Sequence, residues 1–389
     1  MGRVEMARFR QLATACTDWL IHVNQNGDGS FKDSRSIHCV FEMGQAVVSL
    51  LKFGEMEKNQ EASDSAVACG EWMLKHQIRS KDKNADGHWT TPEYGKNLIV
   101  IPDTIETLRG LLELYRYTRR SQYLRSAFRA LEAVKRARPC TDQSRWVSGG
   151  GIRARVRMDY DMRTRKYSVC LHRIGDDAIW YLLAKLTGDR ALLREFKLQC
   201  DEQMKYQASD GGFYESYYSE HHNNIMVAGA RWSVYWAAYP YFYAYQEFKE
   251  QKYLDVIARS CRWLADRQEK DGAFHAWYFA NGDVAYDRID PTSPAVAIIL
   301  WSKFMKVAGT RKYLPHCKRA LSWLIQAGSD PQYSHRAPQL GVGSAERSGL
   351  FNTRSAAFTI RAYYDLADMV GRQDSVSCTP RDSHCKARR

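Results

Sequence analysis

Apolar residues recur every three or four positions over twelve stretches of the chain: approximately 5–22, 36–53, 61–77, 103–118, 121–137, 170–187, 189–206, 229–248, 250–268, 291–308, 310–327 and 353–370. That spacing lines one face of a helix, so each stretch predicts one. The polar gaps alternate in length. Short ones follow even-numbered stretches: Thr118-Arg119-Arg120-Ser121, Thr187-Gly188-Asp189, Lys249-Glu250-Gln251 and Ala308-Gly309-Thr310. Glycine at such a break is a helix C-cap signal. Long gaps, 23–35, 78–102, 138–169, 207–228, 269–290 and 328–352, follow odd-numbered stretches. Short turns make antiparallel neighbours, so the long loops gather at the opposite end. Stretches 229–248 and 291–308 carry few charges, whereas 121–137 and 310–327 bear Arg and Lys along one face. Even helices are therefore expected inside a ring and odd ones outside. The expected fold is all-α: an (α/α)6 toroid of six helical hairpins over 1–371, with a basic tail over 372–389.

The alternation is also written in particular residues. Trp19, Trp72, Trp263 and Trp323 stand near the ends of odd helices. Loops then open with Asp28-Gly29-Ser30-Phe31, Asp86-Gly87-His88-Trp89, Asp210-Gly211-Gly212-Phe213 and Asp271-Gly272-Ala273-Phe274. Tyr123-Leu124, Tyr253-Leu254 and Tyr313-Leu314 open odd helices, the last two 60 residues apart. That period fits one helix pair plus one loop. Asp-Gly supplies a turn, and the following aromatic can tuck back against the helix end.

Composition narrows the function classes. With 389 residues, 44% hydrophobic and 12% aromatic, the chain can bury a large core. Its 11 Trp and 23 Tyr suit that core and also suit sugar clefts, where a ring face stacks on C–H groups. A net charge of +13 favours an anionic partner. No nucleic-acid motif accompanies the basic residues, and no run reaches the roughly 18 apolar residues that would span a bilayer. Residues 1–8 lack the apolar core of a signal peptide, so a cytoplasmic location is expected. Ten cysteines stand singly without a Cys-x-x-Cys pair, which predicts buried thiols; Cys378 and Cys385 are the one pair placed to bridge. No metal or cofactor is expected, and oligomeric state is not legible.

The hairpin array with its Asp-Gly-x-aromatic loops resembles the (α/α)6-barrel superfamily of six-hairpin glycosidases and polysaccharide lyases. Asp290-Pro291-Thr292-Ser293-Pro294-Ala295-Val296-Ala297 is similar to the Asp-x-Ser-Ala-x-Ala opening of an inner helix in unsaturated glucuronyl and rhamnogalacturonyl hydrolases, with Pro294 in place of a small residue. The same loops resemble the repeat of terpenoid cyclases and protein prenyltransferases, but the Asp-x-Asp-Asp motif and the Asp, Cys, His zinc set of those enzymes are missing.

Helix N-termini attract anions, so the ring mouth formed by the long loops is the expected site. Asp103, after Pro102, is placed there either to cap a helix or to act on substrate. Asp176-Asp177 is an adjacent pair beside Arg173; neighbouring carboxylates raise one pKa, which suits a general acid. The loop before it holds Arg145, Arg153, Arg155, Arg157, Arg163, Arg165 and Lys166, either a solvated face or a clamp for a uronate or sulfate. The run from Tyr214 to Tyr235 supplies His222, Asn223, Arg231, Trp232 and Tyr235. Such groups can neutralise a carboxylate and abstract the acidified C5 proton in β-elimination. Asp290 and Arg288 open another inner helix, Arg354 the last, and Trp89 offers a stacking face. The candidate catalytic set is Asp103, Asp176, Asp177, Asp290, His222 and Tyr235. The candidate substrate contacts are Arg173, Asn223, Arg231, Trp232, Arg288, Trp89 and Arg354. The expected partner is an acidic oligosaccharide or polysaccharide. A glycoside hydrolase of unsaturated uronyl oligosaccharides is expected first, then a lyase or epimerase on uronate polymers. An isoprenoid cyclase-like enzyme or a non-catalytic glycan-binding ring comes last.

Overall fold

The computed structural model of the protein describes residues 1–32, 40–92, 96–136, 157–170, 178–219, 222–329 and 352–376. Among them the helices are α1 (Arg3–Trp19), α2 (Val40–Glu57), α3 (Gln60–His76), α4 (Ile101–Thr118), α5 (Ser121–Arg136) and α6 (Ile179–Thr187). The series continues with α7 (Arg190–Gln203), α8 (Pro240–Phe248), α9 (Gln251–Arg267), α10 (Ser293–Ala308), α11 (Leu314–Ser329) and α12 (Thr353–Val376). Even helices form the inner ring. α2 packs on α4, α4 on α6, α10 on α12, and α12 returns to α2. Across the gap from α6 to α8, the Tyr181 and Tyr243 rings lie 5.0 Å apart. Closure joins distant parts of the chain: Asn24 donates to Thr353 at 2.7 Å, and Ser49 to the Ala357 carbonyl at 2.8 Å. The α2–α4 crossing is close because Gly44 lies in it; a Cβ there would come 2.6 Å from the Glu106 carbonyl oxygen.

The short connections turn on left-handed residues, namely Lys58, Arg119, Gly188, Lys249 and Gly309. Three of these are not glycine, which is why two of the four breaks carried no glycine signal.

The Asp-Gly loops are architectural. Gly272 has φ +102°, and a Cβ on it would stand 2.1 Å from the Arg319 carbonyl oxygen of the next outer helix. Gly29, Gly87 and Gly211 repeat this approach against Ala68, Arg129 and Arg259. A glutamine ahead of each turn completes the joint. Gln25, Gln77 and Gln207 each donate to the glycine carbonyl of their own loop and to a carbonyl of the next outer helix, Ser65, Ser126 and Val256 in turn. Gln268 donates to the His316 carbonyl. The loop aromatics Phe31, Trp89, Phe213 and Phe274 are buried beneath.

The long loops also hold strands that the helical periodicity does not announce. β1 (Leu98–Val100), β2 (Arg157–Asp161) and β3 (Lys166–Cys170) form one antiparallel sheet. β4 (Glu215–Ser219), β5 (His222–Ala228), β6 (His275–Phe279) and β7 (Val284–Ile289) form a second. Both precede inner helices. The expected helix from 170 is corrected accordingly: Cys170 ends β3, and α6 starts at Ile179. The expected helix 229–248 is divided into a π-helical turn, Ala230–Tyr235, a short turn, Trp236–Ala238, and α8 beginning at Pro240, whose missing N–H interrupts the ladder. Cys16, Cys69, Cys200, Cys261 and Cys317 are buried free thiols, as expected. Cys378 and Cys385 lie outside the described residues, as does the tail from 377.

Candidate active site at the mouth of the ring

Charged side chains gather inside the ring where the inner helices begin. Arg231, in the π-helical turn, points its Nε at Asp290 Oδ2, 2.9 Å away, and the two side chains are 4% and 5% exposed. Asp290 Oδ2 also accepts from Ser293 Oγ at 2.6 Å, and Oδ1 from the Thr292 N–H at 3.3 Å. Asp290 is thus held by the first turn of α10 and by an arginine 59 positions away. A π-helical turn displaces side chains from α-helical register and is frequent at functional sites. Beside this pair, Arg354 of α12 meets Glu42 of α2 at 3.0 Å and lies over the Phe41 ring at 4.3 Å. The two pairs share one electrostatic neighbourhood. Burial lowers Arg231 from the usual guanidinium range to about 10, Asp290 opposes that shift, Arg354 adds to it, and Glu42 opposes it. Arg231 stays charged at neutral pH.

Deeper in the ring, Arg361 of α12 donates to Gln45 Oε1 at 2.7 Å and to the Tyr235 hydroxyl at 2.9 Å. Tyr235 is fully buried, so its phenol joins α8's lead-in to α12 rather than facing outward. Asp103 and Glu106 are buried on α4. Asp103 is not the helix cap. The cap position is Val100 and α4 starts at Ile101, with Pro102 within the first turn ahead of Asp103. The carboxylate sits in that first turn, where the helix dipole favours it.

Of the sequence candidates, the ring brings together Arg231, Asp290 and Arg354, with Tyr235 one layer below. Arg288 lies half-buried one residue before the end of β7, and His222 and Asn223 begin β5, with Trp232 in the π-helical turn. Trp89 belongs to the wall: it is 1% exposed, and its indole N–H donates to the Met73 carbonyl at 2.8 Å. Asp176, Asp177 and Arg173 lie outside the described residues. Sequence reasoning missed Glu42, Gln45, Glu106 and Arg361. Each is a charged or amide group with apolar or small neighbours on an inner helix. No group of three potential metal ligands occurs among the described residues.

No protein-family model matches the sequence, and no curated protein sequence matches it. Solved structures share its fold. A cellobiose 2-epimerase from Bacillus thermoamylovorans superposes with a TM-score of 0.71 at 10% identity, over 93% of this chain and 100% of that one. The shared fold is the (α/α)6 toroid. An unsaturated glucuronyl hydrolase specific for heparin superposes at 0.61, with 13% identity, over 95% of this chain and 99% of the other. A Salegentibacter α-1,6-mannanase, inactivated by Asp-to-Asn changes at two adjacent positions and bound to α-1,6-mannotriose, superposes at 0.56 with 12% identity, over 93% and 99%. At these identities the likeness is one of fold.

Proposed function

We propose that this chain is a carbohydrate-active enzyme whose sugar sits in the ring mouth, and that it is first a glycoside hydrolase of unsaturated uronyl oligosaccharides. The observation that carries the reading is the buried Arg231–Asp290 pair beside Arg354–Glu42. Buried ion pairs add little to stability over apolar packing, so the buried Arg231–Asp290 pair with a second pair beside it implies another use. Asp290, oriented by Arg231 and Ser293, is the carboxylate proposed to handle a proton or position the attacking water. Arg354 and Glu42 offer a sugar both a donor and an acceptor, and Arg suits a uronate carboxylate. Asp103 supplies a second acid from α4. Asp176-Asp177 also fits, since an adjacent aspartate pair is what the inactive mannanase variant lost. The uronate preference rests on the arginine-rich run 145–166. A sugar epimerase is the second reading, favoured by superposition on the cellobiose 2-epimerase along that protein's whole length.

One assay separates these readings. The protein is incubated with unsaturated uronyl disaccharides, uronate polymers and neutral disaccharides. A hydrolase abolishes the ultraviolet absorption of the unsaturated uronyl group, a lyase creates it, and an epimerase changes chromatographic identity at constant mass. Asp290→Asn, Asp103→Asn, Asp176→Asn and Asp177→Asn are then tested singly. A true acid or base loses about 100-fold or more in kcat with the fold intact. Full turnover in all four, or no product from any substrate, overturns the reading.

A further inference from the structure

A second feature lies on the outer wall, where α3 and α5 run side by side. They border an open hollow of about 530 Å³ lined by Glu71, Lys75, Gln77, Arg79, Arg125 and Arg129 among others. Its floor is polar: Gln77 and Ser126 are buried, and the Ser126 hydroxyl donates to Gln77 Oε1 at 2.8 Å. The acid in the lining is already engaged. Glu71 accepts from the Tyr123 hydroxyl at 2.6 Å and from Arg120 at 3.1 Å. Arg129 is paired with Asp86 at 3.2 Å. Lys75, Arg79 and Arg125 are exposed and form no ion pair among the described residues. Arg125 gives one N–H to Ser121 Oγ at 2.6 Å and nothing to a carboxylate.

We propose that this hollow is an auxiliary binding site for an acidic glycan segment, separate from the mouth. Ligand sites of roughly 300–1,000 Å³ are common, so the volume admits one or two sugar rings. The walls supply three exposed cations, Lys75 of α3, Arg79 of the loop that follows it and Arg125 of α5, over a floor whose Gln77 and Ser126 groups are already hydrogen-bonded within the protein. Carboxylate and sulfate groups share the oxyanion geometry that guanidinium recognises. The chain's excess of basic residues attracts such a ligand from a distance. The identity of the ligand rests on the carbohydrate reading of the mouth; the site itself rests on the hollow and its charges. A polymer held on the flank stays near the mouth between encounters and raises its effective concentration there.

The test is calorimetric titration of the intact protein with an oligogalacturonate hexamer, a heparin-derived hexasaccharide and a neutral mannohexaose. The variants are Lys75→Ala/Arg79→Ala/Arg125→Ala and a control triple, Arg190→Ala/Arg194→Ala/Arg311→Ala, which removes three exposed cations elsewhere. Circular dichroism checks folding; all six residues are exposed. Affinity for the acidic hexamers is expected to fall about tenfold in the first triple and less than twofold in the control. Added salt weakens wild-type binding, and mannohexaose does not occupy the hollow. Which hexamer binds tighter tells carboxylate from sulfate recognition. Equal loss in both triples, or equal binding of a single-stranded oligonucleotide of matched charge at the hollow, overturns the proposal. Turnover of an unsaturated disaccharide is followed in parallel with Asp290→Asn. Loss of turnover with binding intact leaves the hollow standing, and loss of binding with turnover intact leaves the mouth standing.

Discussion

Removing one half of the Arg231–Asp290 pair should be far costlier than removing both. The Asp290→Ala change leaves a guanidinium that is 4% exposed without its 2.9 Å partner. Removing one partner of a buried ion pair costs about 3–5 kcal/mol. Two hydrogen bonds from Ser293 and Thr292 go with it, each adding about 0.5–1.5 kcal/mol. Replacing both residues, as in Arg231→Met/Asp290→Ala, removes the burden of burial along with the attraction. Burial already lowers Arg231 to about 10 despite Asp290, so the charged arginine is a net cost to the fold, on the order of 3 kcal/mol by proton linkage. The double variant should therefore lie within about 2 kcal/mol of wild type, with a coupling energy of about 3 kcal/mol or more. Urea unfolding at neutral pH, followed by far-ultraviolet circular dichroism with a check that the m-value is constant, measures all four corners. Additive single effects, or an Asp290→Ala penalty under about 1 kcal/mol, would refute the reasoning. A stable but inactive double variant would locate the pair's use in chemistry.

Gly272→Ala places a Cβ 2.1 Å from the Arg319 carbonyl oxygen and should lower stability by more than about 2 kcal/mol, whereas Gly188→Ala, with open space around it, should cost about 1 kcal/mol; equal penalties would discard the close-approach argument. Burial, assisted by Arg136, pushes His88 down to about 3, while its unfolded form titrates near 6.5. The folded state therefore refuses a proton that the unfolded state accepts. Stability attributable to His88 is present above about pH 6.5 and declines by up to about 1.4 kcal/mol per pH unit as pH falls toward 3. Denaturation of His88→Gln across that window should show a flatter slope than wild type, and an identical slope would remove His88 as the cause. Arg361→Met removes the guanidinium bonds to the Tyr235 hydroxyl and Gln45 and should cost about 2–4 kcal/mol; a change below about 1 kcal/mol in thermal or urea unfolding would mean that water replaces the guanidinium.

The ring was legible because its determinants are local and repeated. Asp271-Gly272-Ala273-Phe274 and its three counterparts announce themselves within four residues, and each performs the same task against the next outer helix. The strands were harder to see. His275–Phe279 is aromatic on successive residues rather than strictly alternating, and its pairing with Val284–Ile289 includes register shifts. The site was legible only in part. Arg231 and Asp290 drew notice because each opens an inner helix after a polar loop. Glu42 and Arg361 did not, because their partners, Arg354 and Gln45, lie about three hundred residues away, at 316 for the latter. Spacing along a sequence reports which residues share a helix face; it carries no information about which faces meet when a ring closes.

That closure bears on how the chain is made. Thr353 bonds to Asn24, Ala357 to Ser49, Arg361 to Gln45, and Tyr364 to Glu57 at 3.1 Å, so one helix sews itself along the oldest part of the molecule. Until α12 emerges from the ribosome, the faces of α2 and α10 that it packs on are uncovered, and Glu42 lacks Arg354. Contacts of such separation slow folding and lengthen the life of sticky intermediates. Glu42 then has a second consequence: a charge on the face that waits for α12 makes that face less prone to stick to another chain before Arg354 arrives.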